Sequence, residues 1–191
     1  MDIDDLLKQS GWESINFAGS PGGLYTLPDR FIETLYSVIK HEEGVDVRLS
    51  LTVSTQEFSN ACTIISGRDE NNSSLISLIG GTCITDVSIN EGRFPSLLSE
   101  FVKWGREKDL KNAIVEHSQR PTNSAGATPL WHLASLSLLG EIDKLKFYKK
   151  SFQSGNRLGF VNYITEDYID RAINLAKKYK KKKSLWDRFK F

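Results

Sequence analysis

The chain has 191 residues, 39% of them hydrophobic and 26% charged, with a formal net charge of +1 at pH 7. That length and apolar share are enough to bury a core, so the composition is that of a folded globular protein and excludes a disordered one. Two cysteines, Cys62 and Cys83, are too few for a disulfide framework, and no apolar stretch approaches the roughly 20 residues of a membrane span.

In chain order, residues 2–10 predict a short helix: Asp2 can cap it, Leu6 and Leu7 give it an apolar edge, and Gly11 can stop it. Residues 12–17 alternate weakly as a strand. Ser-Pro-Gly-Gly at 20–23 reads as a turn, after which the chain resumes extended. Residues 31–40 are rich in β-branched and aromatic types and read as a strand, with a helix as the alternative. Its expected mate is the next segment, where Val45, Val47, Leu49, Leu51 and Val53 alternate with Asp46, Arg48, Ser50 and Thr52. That pattern predicts a half-buried strand with one wet face.

Ser54 and Glu57 have the spacing of a capping box, and Gly67 stands where a helix stop would. A helix is therefore expected between them, with Phe58, Ala61, Cys62 and Ile65 inward. Residues 75–89 read as two short strands in a hairpin around Gly80 and Gly81. After Pro95 the pattern turns helical. Leu97, Phe101 and Trp104 share one face, Leu110, Ala113, Ile114 and His117 another, and the mismatch predicts a break within 105–109. Residues 130–139 carry no charge, which predicts a helix buried nearly all round and ended by Gly140. An amphipathic return helix follows, with Ile142, Leu145, Tyr148 and Phe152 inward. A final helix has Tyr168, Ile169, Ala172, Ile173 and Ala176 inward.

These elements predict an α+β protein: an N-terminal antiparallel sheet with one or two helices, then antiparallel helical pairs. The expected divisions are an acidic α+β subdomain at 1–93, a helical subdomain at 94–178 and a basic C-terminal tail at 179–191. Charge is unevenly placed. Residues 1–100 hold 15 acidic and 6 basic side chains, a net −9; residues 101–191 hold 9 and 19, a net +10. Eight of the last fifteen residues are Lys or Arg. The remaining chain, at −6, opposes a nucleic-acid partner, and the tail has too few apolar residues for a membrane anchor. The tail is read as a solvated helix end and a counterweight.

No phosphate-binding loop, nucleophile elbow or metal-ligand spacing is present in the sequence, so no catalytic, cofactor-binding or metal-binding residue is assigned. "TPLWHLA" at 128–134 is similar to the start of an ankyrin repeat, but no second copy recurs, which excludes an array. His41 is read as a solvated loop residue, and His132 as a core histidine bonded to a backbone carbonyl. Both cysteines are read as buried free thiols. The acidic positions Glu42, Glu43, Asp46, Asp69 and Glu70, expected on loops and on the wet strand face, are the candidate partner-binding residues.

The acidic α+β first half, and the segment from Trp131 to Ala176 with "RLGFVNYIT" leading into "EDYIDRAINLA", resemble bacterial immunity proteins encoded beside polymorphic toxins. That resemblance implies a cytosolic inhibitor that binds one cognate toxin domain and covers its active site or an exosite; the lack of a catalytic or cofactor motif makes the expected protein non-enzymatic and cofactor-free, and the acidic first half makes the expected toxin domain a basic one. It carries over no individual residue. The acidic start of the chain lacks a secretory signal pattern, so a cytoplasmic protein is expected. The alternative is a secretion chaperone or adaptor that holds an exported effector.

Overall fold

The computed structural model describes residues 2–17, 19–42, 44–68, 73–85, 89 and 92–188, with the backbone alone at 79–81 and 182–188. The fold is α+β, an antiparallel sheet followed by helices. The chain forms two compact units, Met1–Gln56 with Ser74–Asp109, and Glu57–Ser73 with Leu110–Phe191.

The first unit opens with α1 (Ile3–Gln9), capped as expected by Asp2, whose carboxylate accepts from the Asp4 amide at 3.2 Å. Among the described residues five strands follow: β1 (Glu13–Phe17), β2 (Ser20–Thr26), β3 (Phe31–His41), β4 (Gly44–Ser54) and β5 (Ile76–Thr85). They form one antiparallel sheet in the order β1-β2-β3-β4-β5. Residues 31–40 are thus a strand, paired with β4 from Phe31↔Ser54 to His41↔Gly44. Paired residues share a face. Ile32, Val47, Leu49, Leu51 and Val53 are buried on the inner face, while Ser37, Arg48 and Ser50 are exposed on the outer one.

Among the described residues, two helices cover the inner face. From α1, Leu7 packs over Gly23, and Asp4 accepts a hydrogen bond from the Tyr36 hydroxyl at 3.0 Å. From α3 (Arg93–Glu107), Gly105 lies against Ile32. The buried face of α3 is Phe94, Leu98, Phe101 and Gly105, not the expected Leu97, Phe101 and Trp104. Gly105 explains the shift, because the missing side chain lets this stripe approach the sheet most closely. The Arg30 guanidinium caps the helix end, donating to the Gly105 and Lys108 carbonyls at 2.9 Å each. The expected break follows at Lys108–Asp109.

Three local expectations are corrected. The first turn includes Gly19, at φ 87°, and Ser20–Gly23 already belong to β2. Gly22 and Gly23 serve strand packing instead: a Cβ there would lie 2.3 Å from the Thr34 carbonyl oxygen and 2.7 Å from a Leu7 methyl. Gly80 and Gly81 sit within one continuous β5, not at a hairpin. The strand absorbs them as an irregularity, its register stepping from Leu49↔Thr82 to Leu51↔Leu78. Ser54 ends β4, fully buried with its hydroxyl lacking a hydrogen-bond partner, so it does not cap the following helix.

The second unit contains α2 (Gln56–Ser66, beyond its first residue), α4 (Leu110–Gln119), α5 (Thr128–Leu139), α6 (Ile142–Gln153) and α7 (Glu166–Arg188). The uncharged α5 lies at the centre, as its composition predicts, with eight of its residues buried. Its Ser137 hydroxyl reaches the Ala172 carbonyl of α7 at 3.0 Å. Lys149 of α6 pairs with Asp170 of α7 at 2.6 Å. Arg171 of α7 donates to the Ile65 and Ser66 carbonyls at the end of α2, at 2.6 and 3.2 Å. Helix α7 runs on to Arg188, so the segment expected as a tail is helical through that residue. Among the described residues, no helix is long and apolar enough to cross a membrane.

Candidate functional site

The sequence-predicted acidic residues divide into two groups. Glu43, Asp69 and Glu70 lie outside the described residues. Glu42 is exposed in a turn just beyond the end of β3. Asp46 is half-buried on β4, opposite Ile39, and its Oδ1 lies 3.6 Å from Nε2 of His41. The structure thus gathers Glu42, Asp46 and His41 at one end of the β3–β4 ribbon. Fourteen acidic and eight basic residues give the first unit a net −6, against +7 for the second, with ten and seventeen. The ribbon end therefore belongs to the acidic unit.

Strand lengths create a feature there that the sequence reading missed. β3 pairs with β4 over its whole length, but with β2 only from Phe31 to Leu35. The ladder stops where Pro21, which has no N–H to donate, would come opposite Tyr36. Among the described residues, no strand pairs with Tyr36–His41 on the side away from β4. On this open edge Val38 and Ile39 are 46% and 36% exposed, on opposite faces, and Lys40 is exposed beside them. On the outer face, Ser20, Leu35, Ser37, Arg48 and Ser50 border a shallow depression of about 360 Å³. A length mismatch was the available signal: eleven strand-like residues face a neighbour interrupted by a proline.

The second unit holds the chain's most conspicuous polar cluster, and it is built for packing. His132 is 1% exposed, with its Nδ1 3.0 Å from the His117 carbonyl and its Nε2 3.0 Å from the Tyr148 hydroxyl. Its bond to a backbone carbonyl is the one expected. Only an Nδ1–H can donate to that carbonyl, which leaves Nε2 to accept the phenolic proton in the neutral ring. Burial agrees with this assignment. It holds His132 below its ordinary value, despite the carbonyl bond, and pushes Tyr148 up to about 12. Phe160 closes against both rings, at centroid distances of 6.4 and 5.3 Å. The pair joins α5 to α6 and to the end of α4.

The thiols do not extend this cluster. Cys62 is buried as expected, but Cys83 is exposed. The correction follows from register: Cys83 pairs with Arg48 and so falls on the wet face of β5. Among the described residues, no three His, Cys, Asp or Glu side chains gather to hold a metal ion.

No curated protein and no solved structure matches the chain. A family pattern does match, over residues 2–177, so it runs through both units and leaves the basic end of α7 outside. By that match the chain belongs to a family of unknown function, DUF6990.

Proposed function

We propose that this protein is a non-enzymatic immunity protein that binds a cognate bacterial toxin domain, a basic one, in the cytoplasm and blocks its active site or an exosite. The observation that supports protein binding is the far end of the β3–β4 ribbon. There, exposed Val38 and Ile39 stand beside the carboxylates of Glu42 and Asp46 on a unit of net −6. Apolar side chains supply area to bury at the centre of a contact, and the surrounding charge steers encounter and sets specificity. Neutralisation of a toxin rests on the resemblance of the 131–176 segment and the acidic first half to immunity proteins. The mechanism is blockade: a bound ribbon occupies the surface that a substrate needs.

A second reading, a secretion chaperone or adaptor, is favoured by the open edge of β3, since an unfolded effector segment can add to a strand edge. The partner's state separates the two. Affinity capture from the native host, with mass spectrometry, identifies the partner, and binding is then measured with that partner purified in folded and unfolded forms. An immunity protein binds the folded, active domain and abolishes its activity; binding the unfolded form alone refutes this reading. Glu42→Lys and Asp46→Lys are expected to slow association several-fold and flatten its salt dependence. Unchanged association rates in both variants would remove the electrostatic part.

A further inference from the structure

We infer that the edge of β3 from Tyr36 to His41 receives an extended segment of the protein partner as an added β-strand, apolar opposite Val38 and Ile39 and carrying a carboxylate opposite Lys40. This rests on the reading of the protein as one that binds another protein, and it names the mode of attachment.

The backbone dictates the occupant's conformation. An edge strand presents its unpaired N–H and C=O groups at the repeat of an extended chain, and another extended chain matches that repeat. Pro21 keeps β2 from supplying it, since the ladder between β2 and β3 ends at Gly22↔Leu35. The flanking side chains suit a heterologous strand. Val38 and Ile39 point to opposite faces and are both exposed, so each offers an apolar cross-strand neighbour. On the outer face, the depression bordered by Ser20, Leu35, Ser37 and Arg48 lies beside the edge and can take a projecting side chain of the added strand.

Lys40 selects among segments. A lysine on an exposed edge repels indiscriminate pairing, because an added strand buries its charge without compensation. A carboxylate directly opposite removes that penalty and turns it into attraction. A second copy of this chain cannot provide one by pairing this same edge symmetrically. Antiparallel pairing about a twofold normal to the sheet puts Val38 or Ile39 on the axis, because each face must continue into its like. Lys40 then meets Tyr36 or Val38 of the second copy.

The test is amide hydrogen exchange on the full-length protein with two synthetic eight-residue probes. One is built of threonine and valine, with a single central glutamate followed by two valines; the other carries lysine in place of the glutamate. In the free protein, alternate amides within 36–41 should exchange quickly, being turned away from β4. With the glutamate probe at about millimolar concentration, those same amides should slow at least tenfold, and the lysine probe should protect them less. Lys40→Glu, a change at an exposed side chain, should reverse the order of the two probes. Unchanged exchange at these amides, or no reversal in Lys40→Glu, overturns the inference. So does protection that appears without a probe as the protein self-associates, which would make the occupant a second copy. A captured partner that depends on Glu42 and Asp46 but leaves these amides unprotected also overturns strand addition, while the protein-binding reading stands.

Discussion

Replacing Gly105 by alanine sets two effects of opposite sign against each other. On helix propensity alone, glycine to alanine within a helix stabilises by about 0.5–1 kcal/mol. The packing argues the other way. A Cβ on Gly105 would lie 2.4 Å from Cδ1 and 2.5 Å from Cγ1 of Ile32, where about 3.4 Å begins ordinary contact. Ile32 is fully buried, so its side chain has no open space to turn into. Either α3 lifts by about an ångström or Ile32 leaves its rotamer, a form of overpacking that costs about 1–3 kcal/mol. Arg30, bonded to the Gly105 carbonyl, resists the lift. Gly105→Ala should therefore destabilise by about 1–2 kcal/mol net, read as a lower urea midpoint by tryptophan fluorescence. Ile32→Ala separates the causes. Alone it should cost about 2–5 kcal/mol through the cavity it leaves. It removes both clashing atoms and leaves only the Ile32 Cβ, at 3.7 Å. In that background Gly105→Ala should turn neutral or slightly stabilising, a coupling of about 1–3 kcal/mol. A Gly105→Ala variant at least as stable as the parent, or equal effects in both backgrounds, refutes the close approach of α3 to β3.

Three further outcomes follow from single contacts. Because burial lowers the His132 pKa from an unfolded value near 6.5, the folded state binds fewer protons. The stability this contributes is complete above that value and lost as pH falls below it, so urea midpoints should drop between about pH 7 and pH 5. His132→Phe should make that drop shallower, and an unaltered slope counts against a buried neutral ring. Arg171→Met keeps the apolar stem but removes both donors to the end of α2, which should cost about 1–3 kcal/mol in a denaturation series. Native protein should react with an aromatic disulfide reagent at one thiol, Cys83, and Cys62 should respond only after unfolding. Two fast thiols, or none, contradict the assigned faces of β5 and α2.

Elements governed by side-chain periodicity were legible in the sequence. The alternation over 45–53 and the uncharged run over 130–139 each encode one environment per residue, and both took the expected form. Glycines were misread where their purpose is tertiary. "SPGG" and "GG" look like turns to a local reading, yet Gly22 and Gly23 are small because Thr34 and Leu7 come close, and those neighbours are remote in the chain. The same reason moved the buried face of α3 onto Gly105. His132 was legible because a polar residue within an uncharged helix must find a partner; that the second partner is Tyr148 was not, since the packing of α6 decides it.

The candidate site shows why charge alone did not locate its most specific feature. Summed charge acts at long range, and a unit of net −6 would draw the proposed basic partner from any direction. At physiological salt that attraction fades beyond about 8 Å, so it selects a side of the molecule and not a register. Register comes from groups whose positions the backbone fixes. On the β3 edge these are the open amides and carbonyls of Tyr36–His41, with Lys40, a cation on an acidic unit, among them. A composition count enters Lys40 as a small subtraction from the acidic total. In a strand pair it is the position that distinguishes one segment from another, because a lysine directly opposite an apolar residue is penalised and one opposite a carboxylate is not. Glu42 and Asp46 should therefore govern how fast a partner arrives, and Lys40 which segment of it stays.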